Sequence, residues 1–465
     1  MAFILTPRQC DLGRGSPYQM IGEIHAMMKW YQLVSIVLLF HARSNPASAQ
    51  VSSSGSATDA EAVAWMRAHA IPLRSVEAGT GTNDLRALET VLKDVRILGL
   101  GEAVHGSREF FQVKHRLLEF LVTRMGFNAF AMEAAYSDAQ PANDYVLHGK
   151  GERDSVLTAL GYVAWDTEEI GAMLDWMRAY NRTVPGKRKV RFYGVDIFRN
   201  ATGRRKVLAF VQRFAPDLET GTDSLFRELA AQEGRWPRWD TTVMARARPR
   251  LAGLANELAA RRSSLRSRVI HREYEEVVHL IEVMRQGALP QDRSRFLAEN
   301  LMYLVDRAPP GAKFVFSAHD SHVAADQRRR GGYHLRKVYG DAYYATSLSF
   351  NHGTYLTRNF PPPGELTVAA ASPAHPGSLP WFFSQVGIPR FFLDIRSASR
   401  SPSIDGWLRT PRESRTPGWA YADPTKTFFS MNARGRFDGI LFVSELTPTR
   451  PTRNARDTVA RGAGF

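Results

Sequence analysis

The sequence predicts an α/β fold built on a mostly parallel, doubly wound sheet, and three observations carry that expectation. Short apolar runs of strand character recur at VRILGLG (95–101), FNAFAM (127–132), VRFYGV (190–195), KFVFSA (313–318), YYATSLSF (343–350), RFFLDI (390–395) and GILFV (439–443). Helical stretches separate several of them, and strand and helix in alternation are the signature of parallel βαβ units. Two of the runs lead into segments dense in ionisable side chains, GEAVHG (101–106) and SAHDSH (317–322); carboxyl ends of strands are where an open α/β sheet places its chemistry.

Taken in order, Met28-Lys29-Trp30 stands near the amino terminus, ahead of LVSIVLLF (33–40) and a polar stretch ending Ala47-Ser48-Ala49. A charge, a short apolar core and an A-x-A ending are the parts of a secretory signal, and so short a core does not span a bilayer. Residues 1–49 are therefore read as a leader whose signal starts near Met27 or Met28, and the protein as periplasmic or secreted and not integral to a membrane. Cleavage after Ala49 removes Cys10, the only cysteine, so the mature chain has no thiol or disulfide. A Ser-rich linker (50–58) precedes a catalytic domain placed at 59–446.

Within that domain 60–69 and 84–92 read as helices. The helix after GEAVHG has Ser107 as its cap and Gly126 as its stop. Phe110, Val113, Leu117, Leu118 and Leu121 form its apolar stripe, with Lys114 near the centre. Burying an unpaired ammonium costs several kcal/mol, so Lys114 is expected to reach a carboxylate or a polar pocket. The carboxylate expected for it is Glu133, which closes the next strand run, and Asp196 repeats that layout one strand later. Residues 204–307 break the rhythm, with helical periodicity and no strand signal, and are read as an insertion forming one side of a cleft. The tail, 447–465, is rich in Thr, Pro, Arg and Gly and reads as disordered.

The formal charge of +15 comes with arginine clusters such as Arg204-Arg205, Arg246-Arg248-Arg250 and Arg328 to Arg330, without interleaved aromatics. No nucleic-acid-binding signature accompanies them, so they read as a solvated surface.

Glu102, His105, Glu133, His319 and His322 supply what ester hydrolysis needs: a base for water and a donor for the developing oxyanion. His105 is assigned as general base, oriented by Glu102 or Glu133; His319, His322 and Lys114 bind or polarise the carbonyl. No G-x-S-x-G elbow occurs, so water attacks directly. Two alternatives use the same residues: a metal site on His105, His319, His322 and carboxylates, and an exported binding protein without turnover. Tyr136, Trp165 and Phe350 are possible ligand contacts, although core packing explains each equally well. No cofactor is expected; the partner is a small-molecule ester or lactone.

GEAVHGSREFF, GFNAFAMEAAYSDAQPANDYVLHGKG, WMRAYN (176–181), RFYGVDI and FVFSAHDSH occur in the order and at about the spacing seen in the erythromycin esterase family, which the sequence resembles from about residue 61 to 446. The resemblance implies an α/β hydrolase, unrelated to serine esterases, whose relatives open macrolide lactones with water. By motif it carries over Glu102 and His105, Glu133, and His319 with His322. Lys114 stands where the family has an arginine, keeping the charge but losing the planar fork. Arg293-Ser294 stands where an Arg-Asp pair is common, ahead of Ala298-Glu299-Asn300.

Overall fold

Ile97–Leu100, the apolar run that ends in the first motif, is buried along its whole length, as a strand covered by helices on both faces must be. In the computed structural model the described residues are 57–233, 240–266, 271–359, 365–421 and 427–460. They belong to one unit, Ser54–Phe465. The expected leader and most of the linker lie outside the described residues.

The strands are β1 (Ile71–Pro72), β2 (Ile97–Leu100), β3 (Phe127–Ala135), β4 (Arg191–Asp196), β5 (Lys313–Ser317), β6 (Tyr343–Asn359), β7 (Leu366–Ala371), β8 (Arg390–Asp394), β9 (Arg412–Arg415), β10 (Ala420–Tyr421), β11 (Phe428–Met431) and β12 (Gly439–Leu446). Ten of them form one sheet, ordered β1-β8-β12-β6-β2-β5-β3-β4, with β7 and β10 also on β6. From β12 to β4 every pairing along that order is parallel; at the far edge β8 is reversed, pairing antiparallel with both β12 and β1, and β7 pairs antiparallel with β6. Alternate strand residues enter opposite cores, Leu98, Phe130 and Val315 on one face, Ile97, Ala131 and Phe314 on the other, which is the two-sided burial of a doubly wound sheet. All seven apolar runs are strands. The strands β1, β7, β9, β10 and β11 were not among the runs read from the sequence.

The helix Arg108–Met125 begins and ends as its caps dictate. Ser107 Oγ accepts from the Phe110 amide at 3.3 Å, and Gly126 takes the left-handed conformation at φ 74°.

Among the described residues of 201–307 the elements are all helices, with no strand. They build a third apolar cluster of their own around Val207, Leu251 and Leu280. At the strand ends, the insertion supplies Arg293 and Ser294 from the first turn of its last helix, Arg293–Arg307.

The tail corrects an expectation. Beyond Leu446 the described residues 447–460 are docked on the domain and include a helix, Arg453–Ala460. Thr447 bonds Glu109 through both its amide (2.7 Å) and its hydroxyl (2.5 Å); Arg450 Nε bonds Glu169 at 2.9 Å and Thr452 Oγ1 bonds Asp166 at 2.5 Å. Its Thr and Arg residues, which read as disorder by composition, are the donors of this docking. Among the described residues no helix is long and apolar enough to cross a membrane.

Candidate active site

Four strands that are consecutive in the sheet, β2-β5-β3-β4, end in polar residues. Glu102 and His319 each lie two residues beyond their strand, Glu133 lies within β3, and Asp196 closes β4. Parallel pairing brings these ends to one edge, so the two motifs meet. The Asp320 amide donates to the Glu102 carbonyl at 3.0 Å, and the His105 and His319 ring centroids are 5.3 Å apart.

Glu133 is aimed by an irregularity. The register of β3 against β4 shifts between Met132 and Ala135, and a bulge of this kind redirects the side chain inside it. Gly194 opposite is required there: a Cβ would lie 2.3 Å from the Ala135 carbonyl oxygen.

One half of the site is centred on Glu102. Its Oε1 lies 2.6 Å from His105 Nδ1 and its Oε2 2.5 Å from Lys114 Nζ, which also donates to Ser317 Oγ at 3.0 Å. Burial pushes the Glu102 carboxyl up, but Lys114 and His105 together hold it below the usual range. An ionised carboxylate only accepts, so the proton of neutral His105 sits on Nδ1 and leaves Nε2 as the acceptor. Lys114 is buried and paired, but with Glu102 and not with Glu133 as expected. Its helix starts directly after the loop that holds Glu102, whereas Glu133 is one strand further away, beyond β5.

The other half is centred on Arg293. Its Nε donates to Asp196 Oδ1 at 2.9 Å and its Nη2 to Asp196 Oδ2 at 2.5 Å and Glu133 Oε1 at 2.7 Å; Tyr162 Oη also donates to Asp196, at 2.7 Å. Glu133 Oε2 accepts the His319 amide at 2.7 Å. Burial would raise the Glu133 carboxyl, but His322 and Arg293 hold it well below its ordinary value. His322 Nε2 is 3.1 Å from Arg293 Nη1 and 3.2 Å from Glu133 Oε1, and its Nδ1 is 2.7 Å from Ser294 Oγ. The guanidinium only donates and the carboxylate only accepts. A proton on Nε2 therefore serves Glu133, and its absence serves Arg293, so the ring is held in either state.

His319 lies between the halves. The Ser321 amide donates to its Nδ1 at 3.2 Å, which places the neutral ring's proton on Nε2. Burial and the neighbouring His105 push its pKa down to about 3. That Nε2 is buried and has no hydrogen-bond partner among the described residues. Trp165 stands edge-on to His105 at 4.9 Å and donates its indole N–H to the Glu133 carbonyl at 2.8 Å, whereas Phe350 packs against Phe110 and Tyr355 in the core.

The sequence reading left Arg293 out of the site, although it is the ion that joins Glu133 to Asp196; its place at the arginine of the family's Arg-Asp pair was the signal that could have found it. It also omitted Asp320, which sits inside the second motif. Asp320 Oδ2 accepts from Ser347 Oγ at 2.7 Å while Oδ1 has no partner among the described residues, and burial pushes this carboxyl up to about 7. Among the described residues no group of three His, Cys, Asp or Glu is placed to hold a metal ion; Lys114 and Arg293 already occupy the carboxylates such an ion would need.

Residues 122–446 match the family model described as erythromycin esterase. Over 136 residues, 29% of this chain and 32% of the relative, the sequence is 32% identical to an erythromycin esterase type II of Escherichia coli. It is 24% identical to an erythromycin esterase type I of the same organism over 52% of this chain and 65% of the relative. The chain thus spans less than two thirds of these curated relatives. Among solved structures, a Bacillus cereus protein superposes with TM-score 0.74 at 22% identity, covering 85% of this chain and all of that one. A mutant erythromycin esterase in its open conformation superposes with TM-score 0.63 at 18% identity, over 79% of this chain and 95% of that one. Matched by the family model through most of its length and folded as these structures are, the chain belongs to the erythromycin esterase family.

Proposed function

We propose that this protein hydrolyses a carboxylic ester or lactone, of the macrolide type named by its relatives, by direct attack of water. The observation that carries the reading is the pairing of two imidazoles with opposite roles, their centroids 5.3 Å apart. His105, with Nδ1 on the Glu102 carboxylate, offers an acceptor at Nε2; His319 offers an N–H donor at Nε2 that has no partner among the described residues. The first takes the proton of water as its oxygen adds to the carbonyl carbon, and Glu102 stabilises the imidazolium that forms. The second donates to the carbonyl oxygen as it becomes an oxyanion. Collapse of the tetrahedral intermediate then breaks the bond to the alkoxide, which leaves with the proton from His105.

Lys114 takes a different part from the carbonyl-polarising one expected of it. With Nζ bonded to Glu102 and Ser317, it holds Glu102 ionised and oriented. The Arg293 network holds Glu133 and, through the His319 amide, the turn that carries the donor.

The test is incubation of purified protein with erythromycin and with simple aryl esters, followed by mass spectrometry for addition of one water. His105→Asn is expected to lower kcat by roughly 10²–10⁴-fold. Tight binding with no hydrolysis, unchanged in the His105 variant, would show a binding protein instead. We propose export as well, on the pattern ending at Ala49. N-terminal sequencing of protein from the cell envelope is expected to start near Gln50, and an intact Met1 there contradicts it.

A further inference from the structure

Along the free edge of β4 lies a cavity of about 790 Å³, walled by residues of the Gln140–His148, His271–Gly287 and Arg293–Arg307 helices. None of the residues of the histidine and carboxylate cluster lines it. Its volume falls in the range of small-molecule pockets, about 300–1,000 Å³.

The lining charges are unequal. Five Arg or Lys side chains stand against three carboxylates, and two of those carboxylates are consumed. Glu276 accepts from Lys206 at 2.8 Å, and Glu275 from Arg262 at 2.8 Å and Arg307 at 3.1 Å. Outside these pairs remain Asp144, exposed at the rim, and two guanidinium groups, Arg191 and Arg272. Neither arginine makes an ion pair or side-chain hydrogen bond with another described residue, and the hydroxyls of Tyr136 and Tyr193, which also line the cavity, make no hydrogen bond with any.

These groups converge. Burial raises the Tyr193 phenol, while Arg191 and Arg272 both act on it in the opposite direction, which puts the two cations within electrostatic reach of one hydroxyl. The rings themselves are fixed: Tyr193 stacks on Phe314 at 6.2 Å, and Tyr136 stands edge-on to His279 at 4.9 Å. A rigid aromatic wall beside two unpaired forks is the chemistry that recognises a planar apolar molecule bearing an acid group.

We infer that this cavity binds a small organic anion, its flat apolar body against Tyr136 and Tyr193 and its carboxylate or phosphate held by Arg191 and Arg272.

The full chain is titrated by calorimetry with 2-naphthoate, 1-naphthyl phosphate and the neutral 2-naphthylmethanol. At least one anion is expected to bind with a dissociation constant below about 1 mM and at least about tenfold more tightly than the alcohol. The better of the two anions then identifies the acid group. Arg191→Gln/Arg272→Gln is expected to weaken that binding about tenfold or more with an unchanged thermal melt, since neither side chain has a partner among the described residues to lose. Lys206→Gln, at a lining residue already paired with Glu276, is expected to leave it within about twofold. Failure of both anions to bind, equal binding of the alcohol, binding retained in the double variant, or an equal loss in Lys206→Gln would each overturn the inference.

Discussion

Among the described residues no cation is bonded to Asp320, whereas Glu102 has Lys114, and Glu133 and Asp196 share Arg293. Burial raises the Asp320 carboxyl from 3.8 to about 7, so the folded protein holds a proton there that the unfolded chain releases near pH 4. Stability from this group is therefore full below about pH 4 and is lost as pH rises through 7. Asp320→Asn removes the titration. The variant is expected to match the wild type in thermal melts at pH 4 and to exceed it by roughly 1–3 kcal/mol at pH 8; an equal offset at both values would contradict the assignment. Glu102 and Glu133 act in the opposite sense. Their carboxyls are held below the ordinary value of 4.5, so their contribution is present above that value and is lost as acid protonates them. Lys114→Met leaves Glu102 buried without its ammonium and is expected to cost about 3–5 kcal/mol. Its turnover should fall with it, whereas Lys114→Arg should keep most of both. A Met variant with full turnover and higher stability would make Lys114 a passenger.

At the scale of the element, the helix Arg108–Met125 decides how the first motif is held. Its start is set by Ser107, and its Lys114 returns to Glu102 in the loop just before it, so helix and loop support each other. Ser107→Ala is expected to cost about 1 kcal/mol by loss of the cap, read from the denaturant midpoint at unchanged slope. Strand β4 shows the same economy. Gly194 leaves room for the displaced carbonyls of β3, and Asp196 at its end anchors the arginine that reaches Glu133.

Across the whole molecule, the arginine clusters are engaged more than their excess of charge suggests. Arg204, Arg250, Arg261 and Arg262 pair with Glu233, Glu228, Asp217 and Glu275 within the insertion. The tail closes the other side, tying Glu109, Asp166 and Glu169 to the end of β12. Deleting residues 447–465 strips three partly or fully buried carboxylates of donors. The truncated protein is expected to melt several degrees lower, and an unchanged melt would mean the docking contributes nothing.

Much of this was legible beforehand because it is local. A strand is an apolar run of the right length, a cap is a serine before a helical stripe, and a lysine amid Phe110, Leu117 and Leu118 must be paired whatever the fold. The sequence by itself determined the class of sheet, the two motifs at its strand ends and the types of group they bring. Only the tertiary structure decided which group meets which. Strand order, invisible to local pattern, put β5 between β2 and β3 and so gave Lys114 to Glu102. It also brought Arg293, 97 positions from Asp196 along the chain, into the site, and it supplied the carboxylates that turned a disordered-looking tail into a docked one. The Arg293 and tail contacts join polar groups across long sequence separation, and their energy depends on geometry that no single segment contains.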